Sequence, residues 1–232
     1  MFVLNPQYVY LIFCAGFLLV WMIIYTYSPA TRHEQLQMSF ISVPGGPLIE
    51  ILYLRDYWHP VSAVPVKIGP VHTVVEDMLF AFAFSGIVAV LYQLFTRKGL
   101  KSDPALDGGV RIACASVVVI SLLLVWFGIN SIYATSIGFL VGTGWMVSQR
   151  PDLMKPAIWS GVLVGLGYLG CVVVFYGLVA NIEELSKLYW KLDGTNLDIR
   201  FAGIPITELI WAFSFGTLFG PLYAFGRRMS YI

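Results

Sequence analysis

The chain has 232 residues, of which 58% are hydrophobic and 12% charged, with a net charge of +1 and a mean hydropathy of +0.79. A soluble domain carries about 25% charged residues, so this composition excludes an ordinary soluble enzyme and reads as an all-α integral membrane protein. The near-neutral charge, with no basic patch, argues against nucleic acid and leaves the lipid bilayer as the partner surface.

Apolar runs of spanning length predict seven transmembrane helices. The first, about 8–28, has no positive leader and no small-residue cleavage site, so it reads as a retained helix rather than a signal peptide. The second, 36–54, is interrupted by Pro44-Gly45-Gly46-Pro47. The third, 71–96, opens on Glu76-Asp77. The fourth, 110–129, meets the fifth, 131–148, at a tight boundary, Asn130-Ser131. The sixth covers 156–180 and the seventh 202–226, entered through Ile204-Pro205 with Glu208 about one turn inside. Cys14, Cys114 and Cys171 fall within these helices, and His33, His59 and His72 are scattered, so no disulfide, metal site or cofactor is expected. Arg32, Arg97, Lys98, Lys101, Arg111, Arg150, Lys155, Arg227 and Arg228 lie on one side. They outnumber Arg55, Lys67, Lys187, Lys191 and Arg200 on the other. The positive-inside rule then puts the C-terminus in the cytoplasm and the protein in the cell (inner) membrane.

The chain repeats itself. "EDMLFAFAFSGIVAVLYQLF" (76–95) matches "TELIWAFSFGTLFGPLYAFG" (207–226) at an offset of 131, so that Asp77 meets Glu208 and Phe80 meets Trp211. Tyr57-Trp58 meets Tyr189-Trp190, and "RHEQLQMSFIS" (32–42) resembles "RPDLMKPAIWS" (150–160). The expected organisation is a three-helix repeat over 1–100, a linker helix over 101–130 and a second three-helix repeat over 131–232. Two such repeats run parallel, about an axis along the membrane normal. Asp77 and Glu208 then enter from the same membrane face at the same depth.

A carboxylate at that depth costs several kcal/mol unless something offsets it. Each acid heads an aromatic stripe at helical spacing. Phe80, Phe84 and Tyr92 follow Asp77, and Trp211, Phe215 and Tyr223 follow Glu208. Glu76, Glu50 and Asp56 lie near that face. A buried carboxyl can protonate an alkene, aromatic faces stabilise the resulting cation, and a second carboxylate can remove a proton. That chemistry suits an apolar, isoprenoid-like substrate dissolved in the bilayer. A small-molecule transporter with the same three-plus-one-plus-three layout is the alternative from another class. A prenyltransferase would need paired Asp-rich magnesium motifs, and "LDGTNLDIR" lacks their spacing. A retinal protein would need a lysine in the seventh helix, and there is none in 202–226.

One order of features occurs twice: a basic loop, an apolar helix, a short loop with Trp, then a Pro-x-Glu-Glu-like motif opening an aromatic-rich helix that ends in Tyr. This resembles the membrane lycopene cyclase domain of heterodimeric or fused type. The resemblance implies two homologous three-helix units that convert the open ψ-ends of a carotene into β- or ε-rings, an isomerisation without net redox change or cofactor. By the match, Glu76, Asp77 and Glu208 take the catalytic acid positions. Phe80, Phe84, Trp211, Phe215, Tyr92, Tyr223, Trp58, Trp190 and Glu50 are expected at the substrate. Two departures stand out. Pro205-Ile206-Thr207-Glu208 has Thr207 where the family has its first glutamate, and Val74-Val75-Glu76-Asp77 lacks the proline. A related isoprenoid cyclase and an inactive homologue both fit these departures.

Overall fold

The computed structural model describes residues 4–68, 71–105, 109–179, 182–192, 194–195 and 197–232. It is all-α with short β ribbons at the helix ends. The helices are α1 (Pro6–Tyr27), α2 (Arg32–Ser42), α3 (Gly45–Asp56), α4 (Val75–Thr96), α5 (Val110–Trp126), α6 (Ser131–Gln149), α7 (Met154–Val179), α8 (Ile182–Tyr189) and α9 (Ile206–Gly226). Three antiparallel ribbons join them: β1 (Pro65–Ile68) with β2 (Val71–Val74), β3 (Leu100–Ser102) with β6 (Met229–Tyr231), and β4 (Arg200–Phe201) with β5 (Ile204–Pro205).

The starts and stops follow from local chemistry. Asn5 caps α1 by accepting the Gln7 amide, with Pro6 in the first turn where its missing N–H costs nothing. Gly128 turns the chain with φ +82°, and Asn130 caps α6 by accepting the Ile132 amide. This is the tight boundary expected at Asn130-Ser131. The third and seventh predicted spans begin later than expected. Residues 71–74 form β2, and Ala202-Gly203, both at positive φ, turn β4 into β5 before α9 starts.

The second predicted span is not one helix. The chain divides at Val43-Pro44 into α2 and α3, because Pro44 has no N–H to continue the ladder. Among the described residues, four helices are long and apolar enough to cross a membrane: Pro6–Tyr27, Val75–Thr96, Pro151–Leu178 and Ile206–Gly226. The expected seven are not reached by this measure. α5 has 17 residues, α2 and α3 are short, and α6 is diluted by Ser, Thr and Gly.

Polarity is distributed inside out. Leu19, Ile23, Val118, Leu122, Leu166 and Val174 are exposed, while Gln35, Glu50, Glu76, Asp77, Thr207 and Glu208 are buried. A water-soluble protein rarely leaves so much apolar surface uncovered; a bilayer covers it.

The chain packs as two compact units, Met1–Ile87 with Leu169–Glu208, and Val88–Tyr168 with Leu209–Ile232. In the first, Gly46 of α3 lies directly on the Asp77 backbone of α4. In the second, Gly216 and Gly220 of α9 pack against Ser160 of α7, the close approach that small residues permit in membranes. Buried Arg150, after α6, pairs with Asp152 at 2.7 Å and donates to the Met229 carbonyl at 3.0 Å. This ties that helix end to β6.

Candidate active site

The first compact unit gathers the acids. Asp77 sits in the first turn of α4, where the helix dipole favours a carboxylate. Tyr10 of α1 donates its hydroxyl to Asp77 Oδ1 at 2.6 Å. Oδ2 is buried and meets no donor among the described residues. The carboxyl of Glu50, on α3, is close enough to act on Asp77 electrostatically. Glu50 Oε2 also accepts the Val74 amide at 3.2 Å.

Glu76, the next residue back, serves a different partner set. Its Oε1 accepts the Ala63 amide at 2.8 Å and the Val64 amide at 3.2 Å, and its Oε2 accepts the Ser62 hydroxyl at 2.9 Å. It is fully buried and holds the loop that leads into β1. The divergence from Asp77 follows from the roughly 100° between successive helical side chains.

Glu208 opens α9. Its Oε1 accepts two hydrogen bonds, from the Tyr57 hydroxyl at 2.5 Å and from Trp190 Nε1 at 2.8 Å. The Tyr57 hydroxyl also lies 2.8 Å from Thr207 Oγ1. Thr207 therefore joins the site through Tyr57. Burial first, then the charge of Glu208 and its hydrogen bond, hold the Tyr57 phenol well above its usual value, so it remains a donor.

A short piece of backbone brings these donors together. Trp58 and Trp190 form an isolated antiparallel bridge. The His59 amide donates to the Tyr189 carbonyl at 2.8 Å, and the Lys191 amide donates to the Tyr57 carbonyl at 2.9 Å. These two bonds exchange places when Tyr57-Trp58 is matched to Tyr189-Trp190. Side chains continue the link: Tyr10 and Trp58 have ring centroids 5.4 Å apart, and Trp58 and Trp190 5.2 Å. A run of contacts thus leads from Asp77 through Tyr10, Trp58 and Trp190 to Glu208. The match is imperfect in one place. Tyr57 bonds Glu208, but its counterpart Tyr189 donates to the Pro6 carbonyl at 2.8 Å and not to an acid.

Of the expected substrate residues, Phe80 and Phe84 follow Asp77 on one face and stack at 4.9 Å, with Phe17 of α1 edge-on to both. Trp58 and Trp190 stand between the acids, as described. In the second unit, Trp211 stacks on Phe215 at 5.5 Å, and Tyr168 meets Trp211 edge-on. Tyr92 and Tyr223 belong to the second compact unit. There Tyr92 packs on Tyr231, and Arg227 lies over Tyr223.

Sequence reasoning missed Tyr10 and Tyr57, and it did not pair Glu50 with Asp77. Tyr57 had a signal, since it belongs to the repeated Tyr-Trp. Tyr10 had none: it lies 67 residues from its partner, in a helix rich in other aromatics.

Residues 130–225 match the family model described as lycopene cyclase. The matched segment runs from the start of α6 to near the end of α9 and includes Trp190, Thr207 and Glu208. No curated protein and no solved structure matches the chain.

Proposed function

We propose that this chain, which carries a lycopene cyclase family domain over residues 130–225, is a membrane-embedded carotenoid or related isoprenoid cyclase. It closes a ring by proton addition and proton loss, with Asp77 and Glu208 as the catalytic acids. The observation that carries this reading is the placement of two buried carboxyls, each in the first turn of an aromatic-rich helix and each bonded by aromatic donors. Glu76, the third acid of the sequence motif, is a loop anchor in this reading, since amides and a hydroxyl occupy both its oxygens.

The chemistry needs three things from the chain. A carboxyl delivers a proton to an alkene, which is a weak base and reacts only when held against a strong, desolvated donor. Aromatic faces lower the energy of the cation; Phe80, Phe84, Trp58 and Trp190 supply them near the acids. A carboxylate then takes a proton from a neighbouring carbon. Seven spans in two parallel repeats, with the C-terminus cytoplasmic, remain the architecture we favour for a bilayer-dissolved substrate. The reciprocal bonds at Trp58 and Trp190 support that repeat.

The test is expression in cells that accumulate linear carotenes, followed by chromatography of the pigments. The expected result is a product of unchanged mass with altered retention and absorbance. Asp77→Asn and Glu208→Gln each abolish it. Absence of any cyclic product from an expressed, membrane-inserted chain sinks the reading, and so does full activity in either variant.

A further inference from the structure

We propose that the β3–β6 ribbon is a seat for anionic phospholipid headgroups, held through their phosphates by Arg97, Lys98, Lys101 and Arg228. This seat is independent of the cyclase chemistry above.

The ribbon follows the C-terminal ends of α4 and α9, the two helices whose first turns carry Asp77 and Glu208. Leu100 pairs with Tyr231, Lys101 with Ser230 and Ser102 with Met229. The Asp103 amide donates to the Arg228 carbonyl at 2.9 Å, and the Ile232 amide to the Gly99 carbonyl at 3.1 Å. These bonds draw two basic segments, more than a hundred residues apart in the chain, into one small structure. Arg97, Lys98, Lys101 and Arg228 are all exposed. Among the described residues, no acid forms a salt bridge with these four. Among the described residues of the ribbon and its flanks, Asp103 is the only acid, and its Oδ1 accepts the Ala105 amide at 3.1 Å.

Two of the cations stand at strained backbone positions. Arg97 has φ +56° and Arg228 φ +54°. That left-handed conformation just past a helix end ordinarily takes glycine, because a Cβ crowds the backbone there. The two positions correspond at the 131-residue offset found in the sequence. Both helix ends therefore carry an arginine where the backbone favours glycine. Attraction of a cation to the negative end of a helix accounts for a charge in or beside the last turn. It does not account for Lys101, which lies on the strand itself, nor for four cations gathered with no acid to pair them.

Charge and depth together set the occupant. α4 and α9 are each long and apolar enough to cross a membrane, so their ends reach the headgroup layer. Phe95, two residues before Arg97, stacks on Trp159 at 6.3 Å, and both rings are exposed. Exposed aromatic rings of this kind mark the boundary between acyl chains and headgroups. A guanidinium presents a fork that matches phosphate oxygens, and an ammonium adds a compact charge. Four or more such groups beside a membrane span attract anionic lipid. A zwitterionic headgroup brings its own cation, so the ribbon selects headgroups with net negative charge.

Quenching of tryptophan fluorescence by brominated lipids tests this on the full chain in phosphatidylcholine bilayers, with Trp159 beside the ribbon among the reporters. Brominated phosphatidylglycerol is compared with brominated phosphatidylcholine. The wild type favours phosphatidylglycerol by about tenfold or more, and the preference shrinks at high salt. The variant Arg97→Asn/Lys98→Gln/Lys101→Gln/Arg228→Asn loses it; asparagine is chosen at 97 and 228 because it tolerates positive φ. Arg55→Gln/Lys187→Gln, which removes two exposed cations of the first unit, leaves the preference unchanged. Should the fourfold variant fail to fold, Lys98→Gln/Lys101→Gln decides, with a loss of about fivefold or more. No preference in the wild type, or a preference that survives the ribbon substitutions, overturns the seat. An equal loss in Arg55→Gln/Lys187→Gln overturns its location. Displacement of phosphatidylglycerol by inorganic phosphate alone assigns the ribbon to a free anion and overturns the lipid reading.

Discussion

Two adjacent glycines in the first turn of α3 offer a controlled measurement of how tightly the acid site is packed. A Cβ added at Gly46 falls 2.6 Å from the Asp77 carbonyl oxygen and 2.9 Å from its carbon, both backbone atoms. A Cβ added at Gly45 meets nothing within 4 Å. Alanine in a helix is favoured over glycine by roughly 0.5–1 kcal/mol, so Gly45→Ala is expected to stabilise by up to that amount. Gly46→Ala carries the same gain but must push α3 from α4 by several tenths of an ångström, and overpacking of this kind typically destabilises by about 1–3 kcal/mol. The difference between the variants isolates the contact at about 1–3 kcal/mol, a gap of about 2–12 °C in melting temperature for a chain of this size. Glu50 lies one turn along the same face of α3, so the displacement also draws it from Asp77, and ring closure falls by more than the loss of folded protein. The assay is thermal unfolding of both variants in one detergent, with the cyclisation rate alongside. If Gly46→Ala melts at or above the temperature of Gly45→Ala, the close approach of α3 to α4 is wrong.

Three further outcomes are expected. Glu76→Gln places an NH2 or a weaker acceptor against two amides and a hydroxyl, so it costs roughly 1.5–3 kcal/mol of stability; activity per folded molecule is unchanged, and a loss of kcat at full folding contradicts the loop-anchor role. Trp190→Phe removes the Nε1 donor to Glu208 while keeping an aromatic ring, so kcat falls in the pigment assay with little change in melting temperature; equal kcat removes Trp190 from the site. Burial first, then Lys191, holds the His59 imidazole below the usual histidine value. The unfolded chain then binds the proton first, so stability is level above about pH 6.5 and declines as the pH falls through that value. His59→Gln flattens the decline, and an unaltered pH profile of unfolding argues against it.

Much of the site was legible because it rests on spacing along a helix or along the chain. The first-turn acids, the Phe80–Phe84 face and the Trp58/Trp190 correspondence all follow from the period of the helix and the offset of the repeat. The rest depends on contacts distant in sequence. Tyr57 reaches Glu208 across 151 residues, and no local pattern marks a tyrosine as a donor rather than as packing. Glu50 was visible as an acid near the site, but its bond from the Val74 amide was not, because that contact joins α3 to the start of α4 across a loop and a ribbon. The break at Pro44 explains why the second apolar run is two helices: hydropathy averages across a proline, and the backbone does not. Ribbons such as β3 with β6 bring together segments more than a hundred residues apart, each too short to announce itself as a strand.

The bridge at Trp58 and Trp190 couples the surroundings of the two acids. Its two strands present Tyr57 and Trp190 to Glu208, and Trp58 to the tyrosine that bonds Asp77. A substitution in these few residues therefore alters the surroundings of both acids together. Thr207, which bonds Tyr57, is tied to the same clasp.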